Sequence, residues 1–232
     1  MISVVAPAYN EARNLQVLIE RIERTLGREQ FEILLINDGS TDHSKKMLQK
    51  LQETRKFLHA IHFNKNRGQT AALLEGFRLA KGEIIVSMDA DLQNHPEDVP
   101  RLIAKLDEGF DVVCGWRWQR KDPLISKNIP SLISNCIVKK ITGVQVQDIG
   151  CTLRAYKKEC LQDIELKGQM HRFIPIILAA KGYRIGQIKV GHSPRTKGKS
   201  RYGLLRIYYG ISDLLSIMFS RKQRYFFRGS VK

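Results

Sequence analysis

Asp89 and Asp91 stand two residues apart at the end of a short apolar run over residues 83–88, with Gln93 just beyond. An apolar run of that length suits one buried strand. In an open α/β sheet, ligands bind outside the carboxyl ends of the strands. Two carboxylates and an amide there are hard oxygen ligands of the kind that Mg²⁺ or Mn²⁺ shares with substrate phosphates. The competing expectation is plainer: the aspartates cap a helix starting near Pro96 and Glu97, since Asp is a common N-cap.

The neighbouring segments must position these residues. A strand over 2–6 stops at Pro7, and Asn10 is the expected cap of a helix over 11–26, where Leu15, Leu18, Ile19, Ile22 and Leu26 recur at one-sided helical spacing. A strand over 31–37 ends in Asp38-Gly39-Ser40-Thr41-Asp42. A helix to about residue 51, a strand over 58–63, a helix over 69–80, the strand over 83–88, a helix over 97–106 and a strand over 110–116 follow. Five strands alternating with helices predict a largely parallel, doubly wound α/β sheet. Three of them end in acid-rich turns, at Glu11, Asp38 and Asp89/Asp91, which predicts one site along one sheet edge.

After Trp118 the alternation breaks. A helix is expected between Pro130 and Thr142, a loop over 147–153 running into a strand, a helix over 172–181 and a strand over 184–190. A basic loop over 194–201 leads to an amphipathic helix over 202–220, too short and too polar to span a bilayer and suited to lying in its interface. The alternative is a C-terminal helix packed on the sheet. Trp116 and Trp118 are expected as core and rim aromatics.

The 232 residues carry a formal net charge of +16. Residues 181–232 hold 13 basic side chains and one acidic one, so three quarters of the excess is C-terminal. Such a tail predicts an anionic partner: nucleic acid, diphosphate or an acidic membrane surface. The excess is interleaved with Leu and Ile stripes, and no helix-turn-helix, RNA-recognition or zinc pattern appears, which argues against nucleic acid. The four cysteines form no Cys-x-x-Cys pair and sit in apolar segments, which predicts a reduced compartment. No signal-peptide pattern precedes the strand at Ile2.

Val5-Ala6-Pro7-Ala8-Tyr9-Asn10-Glu11, Asn37-Asp38-Gly39-Ser40-Thr41-Asp42 and Asp89-Ala90-Asp91-Leu92-Gln93 together resemble the family-2 glycosyltransferases of GT-A fold. Within that family the chain is similar to the dolichyl-phosphate-mannose-synthase branch and its bacterial polyprenyl-phosphate relatives. That narrower likeness rests on Asp91-Leu92-Gln93, Gly115-Trp116-Arg117, Asp148-x-Gly150-Cys151-Thr152-x-Arg154 and His171-Arg172-Phe173. It covers essentially residues 1–225.

The resemblance implies an inverting transferase moving a hexose from a UDP- or GDP-sugar to a polyprenyl phosphate at the cytosolic membrane face. The rival within the family glycosylates a hydroxyl of a glycan. The resemblance places Pro7, Tyr9, Glu11, Asp38, Asp89, Ala90 and Asp91 on the nucleotide sugar, with Arg195, Lys197 and Ser200 as a second clamp on its diphosphate. Asp91 and Gln93 would hold Mg²⁺ or Mn²⁺. Arg117, Lys127, Ser131, Asn135 and Arg154 would face the acceptor phosphate, and His171 and Arg172 would either close over it or pack the acceptor side of the site. Asp89, Asp91, Arg117 and Asp148 are the catalytic candidates, Asp148 in a positioning or metal-proximal role. The expected layout is a catalytic domain over 1–202, divided into a nucleotide-sugar half over 1–116 and an acceptor half over 117–202, then a basic amphipathic segment over 203–232. Many such enzymes continue into transmembrane helices, so an anchor beyond this sequence, in-plane attachment or a separate anchoring subunit is implied. The loop near Lys127 has fewer arginines than a phosphate clamp of this branch would carry.

Overall fold

The structure is a computed structural model and describes residues 1–118 and 146–194. The expected helix over 130–142, nearly all of the basic loop and the C-terminal amphipathic segment lie outside the described residues. So do Lys127, Ser131, Asn135, Arg195, Lys197 and Ser200.

The elements are β1 (Ile2–Ala8), α1 (Ala12–Leu26), β2 (Phe31–Asn37), α2 (Ser44–Glu53), β3 (Leu58–His62), α3 (Gln69–Leu79), β4 (Ile84–Ser87), α4 (Val99–Asp107), β5 (Val112–Arg117), β6 (Arg154–Lys157), α5 (Ile174–Ala180) and β7 (Ile185–Val190). The strands form one seven-stranded sheet in the order β3-β2-β1-β4-β6-β5-β7. Strand β6 pairs antiparallel with β4 and β5, and every other pairing is parallel.

Alternating apolar side chains sort the strands onto two helix layers. Val4, Ala6, Ile33 and Leu35 join Leu15, Leu18, Ile19 and Ile22 of α1 and Leu102 and Leu106 of α4. On the other face Val5, Leu34 and Ile36 join Leu73 and Phe77 of α3 and Ile176 and Ile177 of α5. Helix α3 lies so close to the sheet that a Cβ on Gly76 would stand 2.2 Å from Val5 Cγ1.

The chain turns from β1 to β2 and β3 on one side, then crosses to β4 on the other. This makes the carboxyl end of the β1–β4 pair a topological switch point, where open α/β sheets bind ligands. The pairing of β1 with β4 stops at Val5 and Ser87, just before Pro7, which has no N–H to donate to a ladder. Because β6 runs backwards, the loop entering it lands on that same edge.

Two local expectations are corrected. Asn10 does not cap α1: it has φ +58° and its side-chain oxygen accepts from the N–H groups of Thr41 and Asp42. Asp42 supplies the cap from across the sheet edge, one oxygen accepting from Ala12 N at the start of α1 and the other from Ser44 N at the start of α2. The aspartates at 89 and 91 are not caps of α4, which begins only at Val99 after a 3₁₀ turn over Pro96–Asp98.

Candidate active site

Each strand end on the switch-point side delivers a polar loop, and hydrogen bonds between loops hold them together. The β1 loop is joined to the β2 loop by Asn10 N donating to Ser40 Oγ and Glu11 N to Ser44 Oγ. Asp38 is buried, and its carboxylate accepts from Arg67 N at 2.6 Å and Gly68 N at 2.9 Å. The loop after β3 lies on Gly39, whose φ is +66° and whose Cβ would meet Lys65 backbone at 2.3 Å. Any side chain there would collide with backbone, which explains the glycine. That loop lines a cleft of about 310 Å³ with His62, Phe63, Asn64, Lys65 and Arg67. Arg67 stacks over the Phe63 ring at 4.7 Å. Burial, helped by nearby Lys45, holds the His62 ring below the usual histidine range.

At the end of β4, Asp89 accepts from Gln69 Nε2 at 2.7 Å, and Asp91 Oδ1 accepts from Gln93 N at 3.1 Å. Leu92 between them has φ +62°. Gln93 Nε2 donates to the Ser193 carbonyl at 3.3 Å, which commits the amide nitrogen and leaves its oxygen as the ligand-type atom. The chain leaving β7 is fastened along this segment. Ser193 N donates to the Gln93 carbonyl, Ser193 Oγ lies 2.8 Å from His95 Nε2, and Gly191 N donates to Asp98 at 2.7 Å.

Beyond β5, Arg117 and Asp148 form a bidentate ion pair, Nε to Oδ2 at 2.6 Å and Nη2 to Oδ1 at 2.8 Å. The side chains are 12% and 4% exposed, so both charges are largely withdrawn from water. A Cβ on Gly150 would come 3.1 Å from Arg117 Nη2. A side chain at Gly150 would therefore crowd the guanidinium. Thr152 joins this loop to the β4 side: its hydroxyl accepts from Asn94 and its carbonyl from Ser87 Oγ.

The structure thus brings Pro7, Tyr9, Glu11, Asp38, Asp89, Ala90, Asp91, Gln93, Arg117 and Asp148 to one sheet edge. Two expected acceptor-side residues are placed differently. Arg154 is 2% exposed and donates to the carbonyls of Ile149, His171 and Arg172. It is a buried brace between two loops. His171 is 3% exposed, with Nδ1 2.8 Å from Thr70 Oγ1. Thr70 Oγ1 donates to the Gly168 carbonyl at 2.7 Å, so the histidine is the donor to Thr70. Arg172 is half-buried beside them. Gln69, Asp42 and Ser193 were not identified from sequence; a lone Gln or Ser outside a charge cluster carries no signal of its own.

Cys151 lies near the pair, but burial pushes its thiol up to about 12, which excludes it as a nucleophile near neutral pH. Trp116 packs edge-on against Trp118, which is 54% exposed and carries Lys189 Nζ 3.7 Å from its ring. Among the described residues no helix is long and apolar enough to cross a membrane.

Comparison with known proteins agrees with this geometry. Residues 3–164 match the model of glycosyl transferase family 2. A dodecaprenyl-phosphate galacturonate synthase of Rhizobium johnstonii is 38% identical over 94% of this chain and 66% of its own length. An undecaprenyl-phosphate 4-deoxy-4-formamido-L-arabinose transferase of Salmonella paratyphi B is 40% identical over 94% of this chain and 67% of its own. The chain thus spans about two thirds of the length of these relatives. Glucosyl-3-phosphoglycerate synthase from Mycobacterium tuberculosis, solved with Mn²⁺ and UDP, superposes with a TM-score of 0.72 at 18% identity, covering 94% of this chain and 78% of that one. The sheet is that of the GT-A fold, and the chain belongs to glycosyl transferase family 2.

Proposed function

We propose that this family-2 transferase is an inverting enzyme moving a sugar from a nucleoside diphosphate to a polyprenyl phosphate at the cytosolic face of an anionic membrane. The observation that carries the acceptor class is the state of Asp148. A hydroxyl acceptor needs a general base near the anomeric carbon. Family members that act on hydroxyls keep a base at the place of Asp148, and here both oxygens of Asp148 accept from Arg117. A guanidinium at that distance favours the ionised carboxylate and lowers its basicity. A phosphate monoester needs no such base: its second pKa is about 6, so it is mostly dianionic at pH 7. Its oxygen bonds to the anomeric carbon as the bond to the nucleoside diphosphate breaks, and the leaving diphosphate keeps the electron pair. The acceptor dianion needs cations and neutral donors, a role assigned to Arg117, Lys127, Arg172, Ser131 and Asn135.

On the donor side Pro7, Tyr9, Glu11 and Asp38 would hold the nucleoside, with the cleft along 62–67 adjoining Asp38. Asp89 and Ala90 would lie against the ribose and sugar, and Arg195, Lys197 and Ser200 against the diphosphate. Asp91 and Gln93 offer oxygen ligands suited to Mg²⁺ or Mn²⁺. No cluster of three His, Cys, Asp or Glu side chains forms a cation cage among the described residues. Asp91 and Gln93 are ligands of the type that Mg²⁺ combines with substrate phosphates. Such an ion would neutralise the leaving diphosphate.

Transfer assays test both halves. A short polyprenyl phosphate should accept sugar and the matching polyprenol should not. Equal transfer to the alcohol would mean that a general base is working, with Asp148 the first suspect, and would point to the hydroxyl-acceptor branch. Asp91→Asn, or EDTA on the wild type, should abolish turnover with the fold intact; near-normal turnover would remove the metal from the reading.

A further inference from the structure

We propose that Gln69 is a positioning residue for Asp89, acting from the first turn of α3. This rests on the reading that Asp89 meets the donor. Four consecutive residues at the entry to α3 are tied to three parts of the site. Arg67 N and Gly68 N donate to the Asp38 carboxylate behind β2. Gln69 Nε2 donates to Asp89 Oδ1 behind β4. Thr70 Oγ1 bonds Gly168 and His171 on the acceptor side.

The chemistry of the contact is specific. A primary amide donates to a carboxylate without neutralising it, so Asp89 keeps its charge while one oxygen is held in a fixed direction. Fixing that oxygen orients the other one, which is the geometric condition for a carboxylate to act on a bound sugar or ribose. Asp38 holds the peptide groups immediately before Gln69, and Gly68 has φ +89°, so the side chain starts from a backbone fixed by the nucleoside-side carboxylate. The helix behind it is packed closely on the sheet at Gly76, opposite Val5.

The test uses the full chain with a nucleotide sugar and Mn²⁺, reading both transfer to polyprenyl phosphate and acceptor-free hydrolysis of the donor. Gln69→Ala should lower kcat about ten- to a hundred-fold, the worth of a hydrogen bond to a charged group. Its Tm should stay near the wild-type value. Gln69→Glu, which keeps the shape but turns the donor into an acceptor, should be worse than Gln69→Ala. In an Asp89→Ala background, Gln69→Ala should add little further loss, because a role that runs through Asp89 ends when Asp89 is gone.

A wild-type kcat for Gln69→Ala would overturn the proposal. So would full additivity with Asp89→Ala, or a Gln69→Glu enzyme as active as the wild type, since a packing role would be met by that shape. If the wild type hydrolyses donor without transferring to polyprenyl phosphate, the acceptor reading fails and the Gln69 effect is still read on hydrolysis. If the wild type binds no nucleotide sugar, the donor site and the role of Gln69 fall together.

Discussion

The two sides of the sheet edge hold their carboxylates by different means. On the β1–β2–β4 side backbone and side-chain amides donate to the carboxylates. Asp38 accepts from Arg67 N and Gly68 N, Asp42 from Ala12 N and Ser44 N, Asp89 from Gln69 and Asp91 from Gln93 N. On the β5–β6 side Asp148 is held by the guanidinium of Arg117. Amides fix a carboxylate while leaving its negative charge in place; a guanidinium fixes it and cancels the charge. The first side offers carboxylates to cations and polar hydrogens. The second tolerates an incoming anion.

The largest effect on stability is expected from breaking the charged contact. Arg117→Ala leaves Asp148 buried without its counter-charge and should cost about 3–5 kcal/mol in denaturant unfolding. The double variant Arg117→Met with Asp148→Leu should recover much of that stability and none of the activity. If the single and double variants are equally destabilised, the pair acts through packing rather than charge.

An intermediate effect should come from the amide-held side. Asp38→Ala removes the acceptor from two N–H groups and should weaken nucleotide binding by about 1.5–3 kcal/mol. Unchanged calorimetric affinity for both UDP and GDP would remove Asp38 from the donor site.

The smallest effect concerns acid. Burial works against ionisation of Asp42, yet its bonds from Ser44 and Ala12 hold its carboxyl below the ordinary 3.8. A depressed carboxyl contributes stability above its unfolded pKa and loses it as pH falls through the folded value. The Tm difference between wild type and Asp42→Asn should thus be largest near neutrality and shrink below about pH 4. A difference independent of pH would mean that Asp42 caps without its charge.

What sequence reasoning reaches here is set by range. Strand ends carrying acids, and helices with one apolar stripe, are local patterns, so the sheet and the convergence of Glu11, Asp38, Asp89 and Asp91 were legible. The two arginines of the acceptor-side motifs were not distinguishable. Arg117 ends a parallel strand at the functional edge, whereas Arg154 opens the antiparallel β6 and faces inward onto three carbonyls. Their difference lies in strand direction, which residue type does not carry. Asn10 and Asp42 show the same limit, since a cap delivered from another loop has no signature within its own helix.

The reversed β6 also governs the order in which the sheet can be completed. Strand β4 pairs on one side with β1, but its other edge waits for β6, with Ser87 opposite Arg154, 67 residues later in the chain. Closing so long a loop is slow relative to local contacts. During synthesis the β3-β2-β1-β4 half can assemble first, with the apolar edge of β4 open until β6 arrives. An open edge of that kind is a template for pairing with another chain. Truncation after β4 and before residue 154 should therefore yield a product that self-associates through β4.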